Sequence, residues 1–528
     1  MDEMLPFLRA IAADPGDDTP RLAFADWLDE HDQHPRAEFI RLQIELERTD
    51  PSADGYAEKT ARMRRCGVLT KKGKHRFFDY LPTKKCKIAF RRGFIDGVRT
   101  DWDTKQIDDS GFDLVPLQAL STSDKLLKKF RRFTKLKWLN YSVDRETAPE
   151  RLLELFGPGG WFTELERLNL SGVGTTHFQA GVIPRFELPN LRTFYLHSDA
   201  FYDLGEIAAG GANEDDYDTP REWLGWPAHL PRNALPNPQI PLERFAWHSD
   251  DDSDSYRGGD WFWTGPTMES LLGLLNTDTL KQIEVAVDWD DHENGGEGPR
   301  AAEYQQNPLK LAPALDRVSV HGSNLDLLAG RPGRLKGLRV FFEWGDGVED
   351  LGSLLAQPVC AELESLYVTS RAEGWGDEPL TASGLTLAKL RSVSPLNVVS
   401  NCHLPNLISA TATLKTILGG RWPKLQTLRA HFDKFSDLRA FAQSDCCPNL
   451  TTLVVEEYFD GYYERVEGDF LFLAQCPHMP FLSLVRINGY RANGIYVVDG
   501  GQMIPVRADV LFDGLGASTP YRLDDPFA

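Results

Sequence analysis

Carboxyl side chains crowd one short segment near the start of the chain. Residues 21–46 read RLAFADWLDEHDQHPRAEFIRLQIEL, and the acids that could do chemistry there are Asp26, Asp29, Glu30 and Glu38. Two carboxyls in one pocket can serve as general acid and general base when their pKa values are pushed apart. Three arginines interleave with these acids, namely Arg21, Arg36 and Arg41. Ion pairs on a solvated helical face explain the pattern as well, and short helices offer little of the concave pocket that an enzyme needs.

Two further acidic segments invite a metal-site interpretation. Asp250, Asp252 and Asp254 occupy the first, third and fifth positions of a calcium-loop pattern. Ser255 and Trp261 then stand where that loop requires glycine and glutamate. A second weak trio is Asp288, Asp290 and His292. We predict no metal or cofactor site, and since no P-loop, zinc-protease or serine-hydrolase motif occurs, we expect a protein that is not an enzyme.

The overall charge bears on the class of partner. The chain has 528 residues, a formal net charge of −20 and an apolar share of 41%, which is that of a folded protein. Nucleic-acid binders need net basic surfaces, so this balance argues against nucleic acid and favours protein partners, basic ones among them. No apolar run approaches the length of a membrane span, and no signal peptide is recognisable, so we expect a cytoplasmic protein.

The cysteines indicate neither a disulfide framework nor a zinc site. Their number is odd, and no C-x-x-C occurs among Cys66, Cys86, Cys360, Cys402, Cys446, Cys447 and Cys476. Buried free thiols in a reducing compartment are the expected state of these residues.

One apolar pattern recurs through most of the chain. An apolar residue is followed by two others, a second apolar residue, one other and a third apolar residue. The occurrences begin at Leu136, Leu165, Leu191, Leu242, Leu280, Leu315, Leu335, Leu363, Leu425, Leu450 and Leu482, with a degenerate copy at Leu407. The array resembles leucine-rich repeats, in which each coil contributes one short strand and stacked coils share a continuous core. The asparagine of that family is replaced at most copies, for example by Asp199 and Ser323, so the array would be irregular.

The residues around the repeats predict helices before them and a hairpin after them. The spacing of apolar residues predicts three helices before residue 48, and Thr19-Pro20 and Pro35 mark the starts of the second and third. A fourth helix is predicted at residues 56–65. FRRGFIDGVRTD, from Phe90, looks like a first strand. Two strand-like runs around Asp499 predict a terminal hairpin. We therefore assign an α/β fold, an irregular leucine-rich-repeat solenoid with parallel strands on its concave face and a small all-α domain in front.

Four regions follow from this organisation. They are a helical domain at 1–66, a basic connector at 67–88, the solenoid at 89–490, and a hairpin cap and tail at 491–528.

The acidic segment at residues 21–46 also resembles a known family. The matching residues are Leu22, Ala25, Asp26, Trp27, Leu28, Glu30, His31, Ala37, Glu38, Phe39, Ile40, Arg41 and Gln43. They resemble the bacterial repeat-companion domain, a small helical unit carried in front of repeat arrays, and FRRGF at 90–94 resembles the segment that often opens such arrays. The resemblance covers roughly residues 5–48 and implies an architecture. That family brings no activity to transfer to this chain.

Strand alternation predicts a binding surface between the buried leucines. Side chains between the core positions face away from the core, and they include many arginines and histidines. The candidates for binding a partner are Arg167, His197, Arg244, His248, Arg317, His321, Arg339, Arg429 and His431. Such a face could receive an acidic peptide or a phosphate group, with His197 and His248 as candidates for pH sensitivity.

Acidic, aromatic segments follow several of the predicted strands and would line one rim of a solenoid. They begin near residues 214, 250, 288, 342 and 456, and the last supplies the candidates Tyr458, Tyr462 and Tyr463. Tyrosine and tryptophan beside charges are frequent at interfaces. We therefore expect a non-enzymatic protein-interaction scaffold. The alternatives are an inhibitor or immunity-type binder of a basic enzyme, an enzyme with its site in an inserted segment at 197–240, and a nucleic-acid contact through the lysine-rich connector.

Overall fold

The structure is a computed structural model, and it describes most of the helical unit and most of the repeat strands. The described residues are 2–66, 86–100, 114–130, 133–144, 147–173, 177, 180–197, 235–248, 272, 275–286, 312–321, 328, 334–342, 351–370, 381–432, 435–457, 470–488, 494–506 and 510–511. Most of the basic connector, the acidic segments near 214, 250 and 288, and almost all of the inserted segment lie outside them.

Four helices form the amino-terminal unit, as the sequence predicts. They are α1 (Leu5–Ala13), α2 (Thr19–Glu30), α3 (His34–Arg48) and α4 (Tyr56–Cys66). Prolines stand in the first turn of the first three helices, where no backbone N–H is needed. Phe24, Leu28 and Ile40 are fully buried between the helices. Phe24 stacks on Trp27 with 5.9 Å between ring centroids, which fixes the face that α2 turns toward its neighbours.

The rest of the chain is dominated by strands with short helices between some of them. The strands are β1 (Cys86–Arg91), β2 (Phe94–Thr100), β3 (Ala119–Ser123), β4 (Trp138–Ser142), β5 (Arg167–Ser171), β6 (Thr193–His197), β7 (Arg244–His248), β8 (Gln282–Ala286), β9 (Arg317–His321), β10 (Gly337–Phe342), β11 (Ser365–Ser370), β12 (Ser383–Thr386), β13 (Ser392–Ser394), β14 (Asn401–His403), β15 (Ser409–Thr413), β16 (Thr427–Phe432), β17 (Thr452–Glu457), β18 (Leu484–Asn488), β19 (Gly494–Asp499), β20 (Gln502–Val506) and β21 (Val510–Leu511). The later helices are α5 (Asp124–Phe130), α6 (Pro149–Phe156), α7 (Leu351–Leu355), α8 (Leu414–Leu418), α9 (Phe435–Ala442) and α10 (Leu471–Ala474).

Nineteen of the described strands form one long, mostly parallel sheet. From β2 to β18 each strand pairs in parallel with the next one of this sheet, except that β12 and β14 pair with each other outside it. Antiparallel pairs occur at its two ends, β1 with β2 and β18 through β20. The pair β19–β20 is the hairpin predicted around Asp499.

The two faces of the sheet differ in the way that strand alternation requires. In β5, Leu168 and Leu170 are fully buried and the intervening Asn169 is 8% exposed, whereas Arg167 and Ser171 are half-buried. The buried side packs against return segments, where Leu152, Leu354 and Leu438 of the short helices join the same continuous core. One strand cannot bury a row of leucines alone, so the strands and their return segments stabilise one another along the array.

The predicted first strand is instead a hairpin. The segment from Phe90 is divided by a turn at Arg92 and Gly93, and its first residues belong to β1, which pairs back onto β2. Arg92 and Gly93 both have positive φ. The single-strand prediction was wrong because the turn chemistry of RRG was not recognised; glycine readily takes the left-handed conformation that such turns use.

That hairpin turn is where the helical unit docks on the sheet. The Gly93 N–H donates to Gln43 Oε1 of α3, and the Gly93 Cα lies against the backbone of Ile40. Arg92 Nε donates to Glu47 Oε2 at 2.7 Å. Ile40 and Gln43 of α3 and Arg92 and Gly93 of FRRGF, which are among the residues of the family resemblance, therefore lie where the two parts join.

The two ends of the sheet come close together. β21 pairs in parallel with β1 at one end, while β20 closes the other end. From Val506 to Val510 there are four Cα–Cα steps of about 3.8 Å, so the two ends are separated by no more than about 15 Å. The helix α4 lies at this junction, where Arg64 Nη1 donates to the carbonyl of Thr451 at 2.9 Å and to Ser483 Oγ at 3.1 Å. The helical unit thus contacts both the first and the last strands.

No helix in the part of the chain that the structure describes is long and apolar enough to cross a membrane.

Candidate interaction face

The residues of each repeat strand can be numbered one to five, as in Arg167 to Ser171 of β5. Register pairs join equal positions of neighbouring strands throughout the parallel part of the sheet. Positions two and four enter the core. Positions one, three and five lie on the opposite side, and we call this side the polar face.

Position one carries three of the predicted arginines. Arg167, Arg244 and Arg317 begin the alternate strands β5, β7 and β9, and Thr193 and Gln282 separate them in register. Strands are about 4.8 Å apart, so neighbouring arginines are about 10 Å apart. This spacing keeps like charges off directly opposite positions, where they would destabilise the sheet.

Arg317 of β9 reaches past β10 to β11, because β10 begins with a glycine, Gly337, which has no side chain in the way. Its Nη1 donates to Ser365 Oγ of β11 at 3.2 Å, and its Nη2 lies 3.9 Å from Glu364 Oε2. A Cβ on Gly337 of β10 would lie 3.0 Å from the Cγ and Nη1 of this arginine. The missing side chain at 337 therefore makes room for the guanidinium on the polar face.

Position three carries the remaining predicted arginines. Arg339 is buried, with its guanidinium carbon 4.8 Å from the centre of the Tyr367 ring in the next strand. Such a contact is a cation–π pair. Arg429 of β16 is exposed and is separated in register from Arg486 of β18 by Val454. Arg486 thus lies in the same column as Arg429.

The predicted histidines share position five. His197 is directly opposite His248, and His321 is directly opposite Phe341. His431 lies in register between Thr413 and Glu456. The register thus brings the nine predicted arginines and histidines onto three columns of one face, in two groups separated by the strands β11 to β15. Tyr458, Tyr462 and Tyr463 lie outside the described residues, immediately after β17.

A row of alternating charges precedes the strands, and sequence reasoning missed it. The residues just before position one are Lys137, Glu166, Arg192, Glu243, Lys281, Asp316, Lys336, Glu364 and Arg391. Their backbones are linked strand to strand by N–H···O=C bonds. Lys281 Nζ lies 2.8 Å from Glu243 Oε2, and Lys336 Nζ lies 3.5 Å from Asp316 Oδ2. We call this row the charge ladder. Its alternating sign was readable in the sequence once the repeats were aligned.

The charge ladder ends where the helical unit covers the edge of the sheet. Arg391 Nη2 donates to Asp50 Oδ2 of the helical unit at 2.6 Å, and this hydrogen bond holds the pKa of Asp50 well below its usual range. The next strands carry neutral residues at the same position, and Gln426, Thr451 and Ser483 are buried there. A charged residue could not be buried at these places without a partner, which explains the change in residue type.

The acids of the amino-terminal segment form ion pairs. Arg41 contacts both Asp26 and Asp29 at 2.6 Å, and His34 Nδ1 lies 2.9 Å from Asp29. Hydrogen bonds from His34 and Arg41 lower the pKa of Asp29, which keeps it ionised. Glu38 pairs with Arg62 of α4. These contacts match the ion-pair interpretation, since a general acid would need a raised pKa.

Six of the seven cysteines have described side chains, and these six are free thiols. Cys360, Cys446 and Cys447 are buried, and the other three are half-buried. A hydrogen bond from Cys447 lowers the pKa of Cys446 to about 7, whereas burial raises the pKa of Cys360 to about 11. Among the described residues, no group of three or more His, Cys, Asp or Glu side chains is placed to hold a metal ion. The two acidic trios at 250–254 and 288–292 lie beyond the described ranges.

No protein-family model matches this chain, and no curated protein matches it. The resemblance of the helical unit to the repeat-companion family therefore stays an interpretation of the residues quoted for it. The polar face extends along the described parallel strands from β4 to β18.

Proposed function

We propose that this protein is a non-enzymatic interaction scaffold. In this proposal the strands form the concave wall of an irregular leucine-rich-repeat-like solenoid, and a protein partner binds the polar face. The observation that carries it is the shared register of positions one, three and five across the parallel strands. A preformed surface of this kind binds with little ordering cost.

In this proposal the polar face is concave because the strands are more closely spaced than the return segments behind them. Neighbouring strands are about 4.8 Å apart, whereas a helix with its side chains is about 10 Å wide. The described return helices lie on the core side of the sheet, since residues such as Leu152 and Leu438 join the leucines of positions two and four. The wider return segments would therefore take the outside of the curve, and the polar face the inside.

The acidic, aromatic segments supply the second half of the proposal. Those that begin near 250, 288 and 456 come directly after β7, β8 and β17 in the chain, at the carboxyl ends of parallel strands. Because these ends meet at one edge of a parallel sheet, the segments leave the sheet on the same side. Binding by this rim of the scaffold, with Tyr458, Tyr462 and Tyr463 as contacts, is part of the proposal.

A second candidate function is binding of a basic enzyme, as an inhibitor or immunity-type protein. The net charge of −20 supports it, because opposite charge speeds association. In that case the acidic rim would be the contact surface, and association with the partner would slow markedly as salt is added.

Affinity capture from the native cell tests the scaffold proposal. The face variant, Ser142→Trp with Thr411→Trp, adds bulk to two half-buried positions of the polar face. The rim variant changes Tyr458, Tyr462 and Tyr463 to Ala and so removes the rim aromatics. The matched control, Leu418→Trp with Gln475→Trp, adds the same bulk at exposed positions outside the strands. We expect partners that survive the control but are lost from the face variant. An identical capture list for all variants would remove the proposal.

A further inference from the structure

The first parallel strands of the long sheet carry uncharged hydrogen-bonding side chains on one face. Positions three and five of β4 and β5 belong to the polar face, and β3 continues both positions in register. None of the side chains there has a hydrogen-bond partner among the residues that the structure describes. We call these six residues the neutral patch, namely Ser121, Ser123, Asn140, Ser142, Asn169 and Ser171.

Two asparagines lie directly opposite each other in the neutral patch. Asn140 of β4 is in register with Asn169 of β5, and neighbouring strands are about 4.8 Å apart. An amide has both a donor and an acceptor, so these two side chains could bond to each other, but no such bond is formed. Asn169 is 8% exposed, and its Oδ1 has no hydrogen-bond partner. A buried oxygen without a partner destabilises the folded state, which indicates that a group from outside the chain binds here.

An aromatic ring lies on the same face as the two asparagines. Trp138 precedes Asn140 by two residues on β4, so the two side chains point to the same side of the sheet. Trp138, Asn140 and Ser142 are all half-buried, so part of each remains accessible to a ligand. An aromatic ring beside hydroxyl and amide groups matches a sugar, whose ring has apolar C–H surfaces and polar O–H edges.

The residue types distinguish between classes of ligand. Serine is depleted at protein interfaces and is seldom a hot spot, whereas four of the six residues of the neutral patch are serines. Arg167 begins β5 at the margin of the neutral patch and already interacts within the chain, and the six residues carry no charge to attract an ion. Hydroxyl groups both donate and accept hydrogen bonds, as the side chains of serine and asparagine do. An uncharged ligand rich in hydroxyls is therefore the best complement.

We propose that the neutral patch binds a neutral oligosaccharide. Asn140 and Asn169 bond to hydroxyls of the sugar, and Trp138 packs against the C–H surface of one ring. The serines of position five bind hydroxyls further along the same chain. Each hydrogen bond of this kind contributes little by itself, so several contacts must act together. The inference goes beyond the proposed function, since it gives β3 to β5 a ligand that is not a protein.

Saturation-transfer difference NMR of the full chain tests the proposal. The separate probes are maltohexaose, cellohexaose, laminarihexaose and mannohexaose. We expect saturable binding of at least one of them, and salt should not weaken it, because uncharged contacts are not screened. Asn140→Leu with Asn169→Leu removes both amides at similar side-chain volume and should lower the affinity for that probe at least about tenfold.

The matched control removes two amides outside the long sheet. Asn190→Leu lies in the turn before β6 and Asn401→Leu in β14, and together they should change the affinity by less than about twofold. Thermal melting separates binding from folding. Because Asn140 and Asn169 have no hydrogen-bond partner in the chain, their replacement should leave the melting temperature nearly unchanged. Should the double variant fail to fold, Asn140→Ala at its half-buried position repeats the test, with an expected loss of at least about threefold.

Three results would overturn the inference. They are no binding of any of the four sugars by the wild-type chain, an equal loss of affinity in the patch variant and in the control, and tighter binding of a Gly-Ser hexapeptide than of any sugar. Should every sugar fail while captured partners still depend on Ser142 and Thr411, the scaffold proposal stands and only the sugar ligand is lost.

Discussion

Asp96 of β2 is a buried carboxyl in a group of charges between the helical unit and the first hairpin. Its surroundings include Arg91, Arg21, Glu47 and Arg92. Asp96 is only 4% exposed, and burial raises its pKa to about 6 although the arginines oppose the change. Glu47 behaves differently, because the hydrogen bonds from Arg92 and Arg91 outweigh its burial and lower its pKa. The pKa values of these two carboxyls thus differ because Glu47 accepts hydrogen bonds from two arginines, whereas burial dominates at Asp96.

This difference predicts a pH dependence of stability that Asp96→Asn removes. A raised pKa in the folded state means that Asp96 contributes stability below about pH 4, and that this contribution is lost as the pH rises through about 6. The loss amounts to about 3 kcal/mol for a shift of about two units. We expect the free energy of unfolding of the asparagine variant to increase relative to that of the wild type between pH 4 and pH 7, as urea denaturation would show.

The control for this prediction has the opposite sign. Hydrogen bonds lower the pKa of Asp29, so the stability that it contributes is present at neutral pH and lost in acid. Asp29→Asn should therefore lose stability relative to the wild type at pH 7 and approach it at low pH. A wild-type–variant difference for Asp96→Asn that stays constant across the pH range would contradict the role given to this carboxyl.

At the scale of elements, the turn at Gly93 joins the helical unit to the sheet. Its φ is +83°, and an added Cβ would lie 2.3 Å from Ile40 Cγ1 and 2.8 Å from Ile40 Cα of α3. Gly93→Ala should lower the free energy of unfolding by about 3 kcal/mol or more, because backbone strain in the left-handed region and a clash with the backbone of α3 act together. Gly55→Ala is the matched control. Its φ is +79° with nothing within 4 Å of the added Cβ, so the strain of about 1–2 kcal/mol acts alone. Equal losses of unfolding free energy in the two variants would show that α3 does not pack on this turn.

The charge ladder predicts a specific set of chemical cross-links. A zero-length carbodiimide reagent joins an amine to a carboxylate that touches it. We expect cross-links from Lys281 to Glu243 and from Lys336 to Asp316, identified by mass spectrometry, because these pairs are in contact across neighbouring strands. Lys389, which is exposed and outside the ladder, provides the comparison. Cross-links that skip two strands, such as Lys336 to Glu243, would mean that the register is different.

The strands were largely predictable because apolar triplets repeat with one internal geometry. Each triplet strand begins two residues after the first leucine, as Arg167 follows Leu165. Among the strands from β3 to β18 of the long sheet, two escaped the pattern for a local reason. β3 has Thr122 and β13 has Pro395 at the third apolar position. The columns of the polar face follow from the triplets by counting, whereas the hairpin at Arg92 and Gly93 depends on turn residues that the triplet pattern does not contain.

At the scale of the whole molecule, contacts between distant residues decide the shape. β1 meets β21 through Ile88 and Val510, and Arg64 meets Thr451 and Ser483. No periodicity in the chain links residues so far apart, so sequence patterns predicted a stack of coils but not that its two ends would meet. The helical unit, expected only to precede the array, contacts both of its ends.

This arrangement predicts that removing the side chain of Arg64 raises hydrogen exchange at both ends of the sheet. Arg64 is 4% exposed and donates hydrogen bonds to Thr451 and Ser483, the residues just before β17 and β18. Arg64→Ala should therefore lower the free energy of unfolding by about 2 kcal/mol. Because α4 packs with α3, and α3 holds the β1–β2 turn, hydrogen exchange should rise about 30-fold in β17 and β18 and also in β1 and β2. The strands β7 to β9, which lie in the middle of the sheet order, should keep their protection. Arg65→Ala removes the same charge from an exposed neighbour and should change neither end. A rise confined to β17 and β18 would show that the helical unit does not couple the two ends, and the sheet would then behave as an open array.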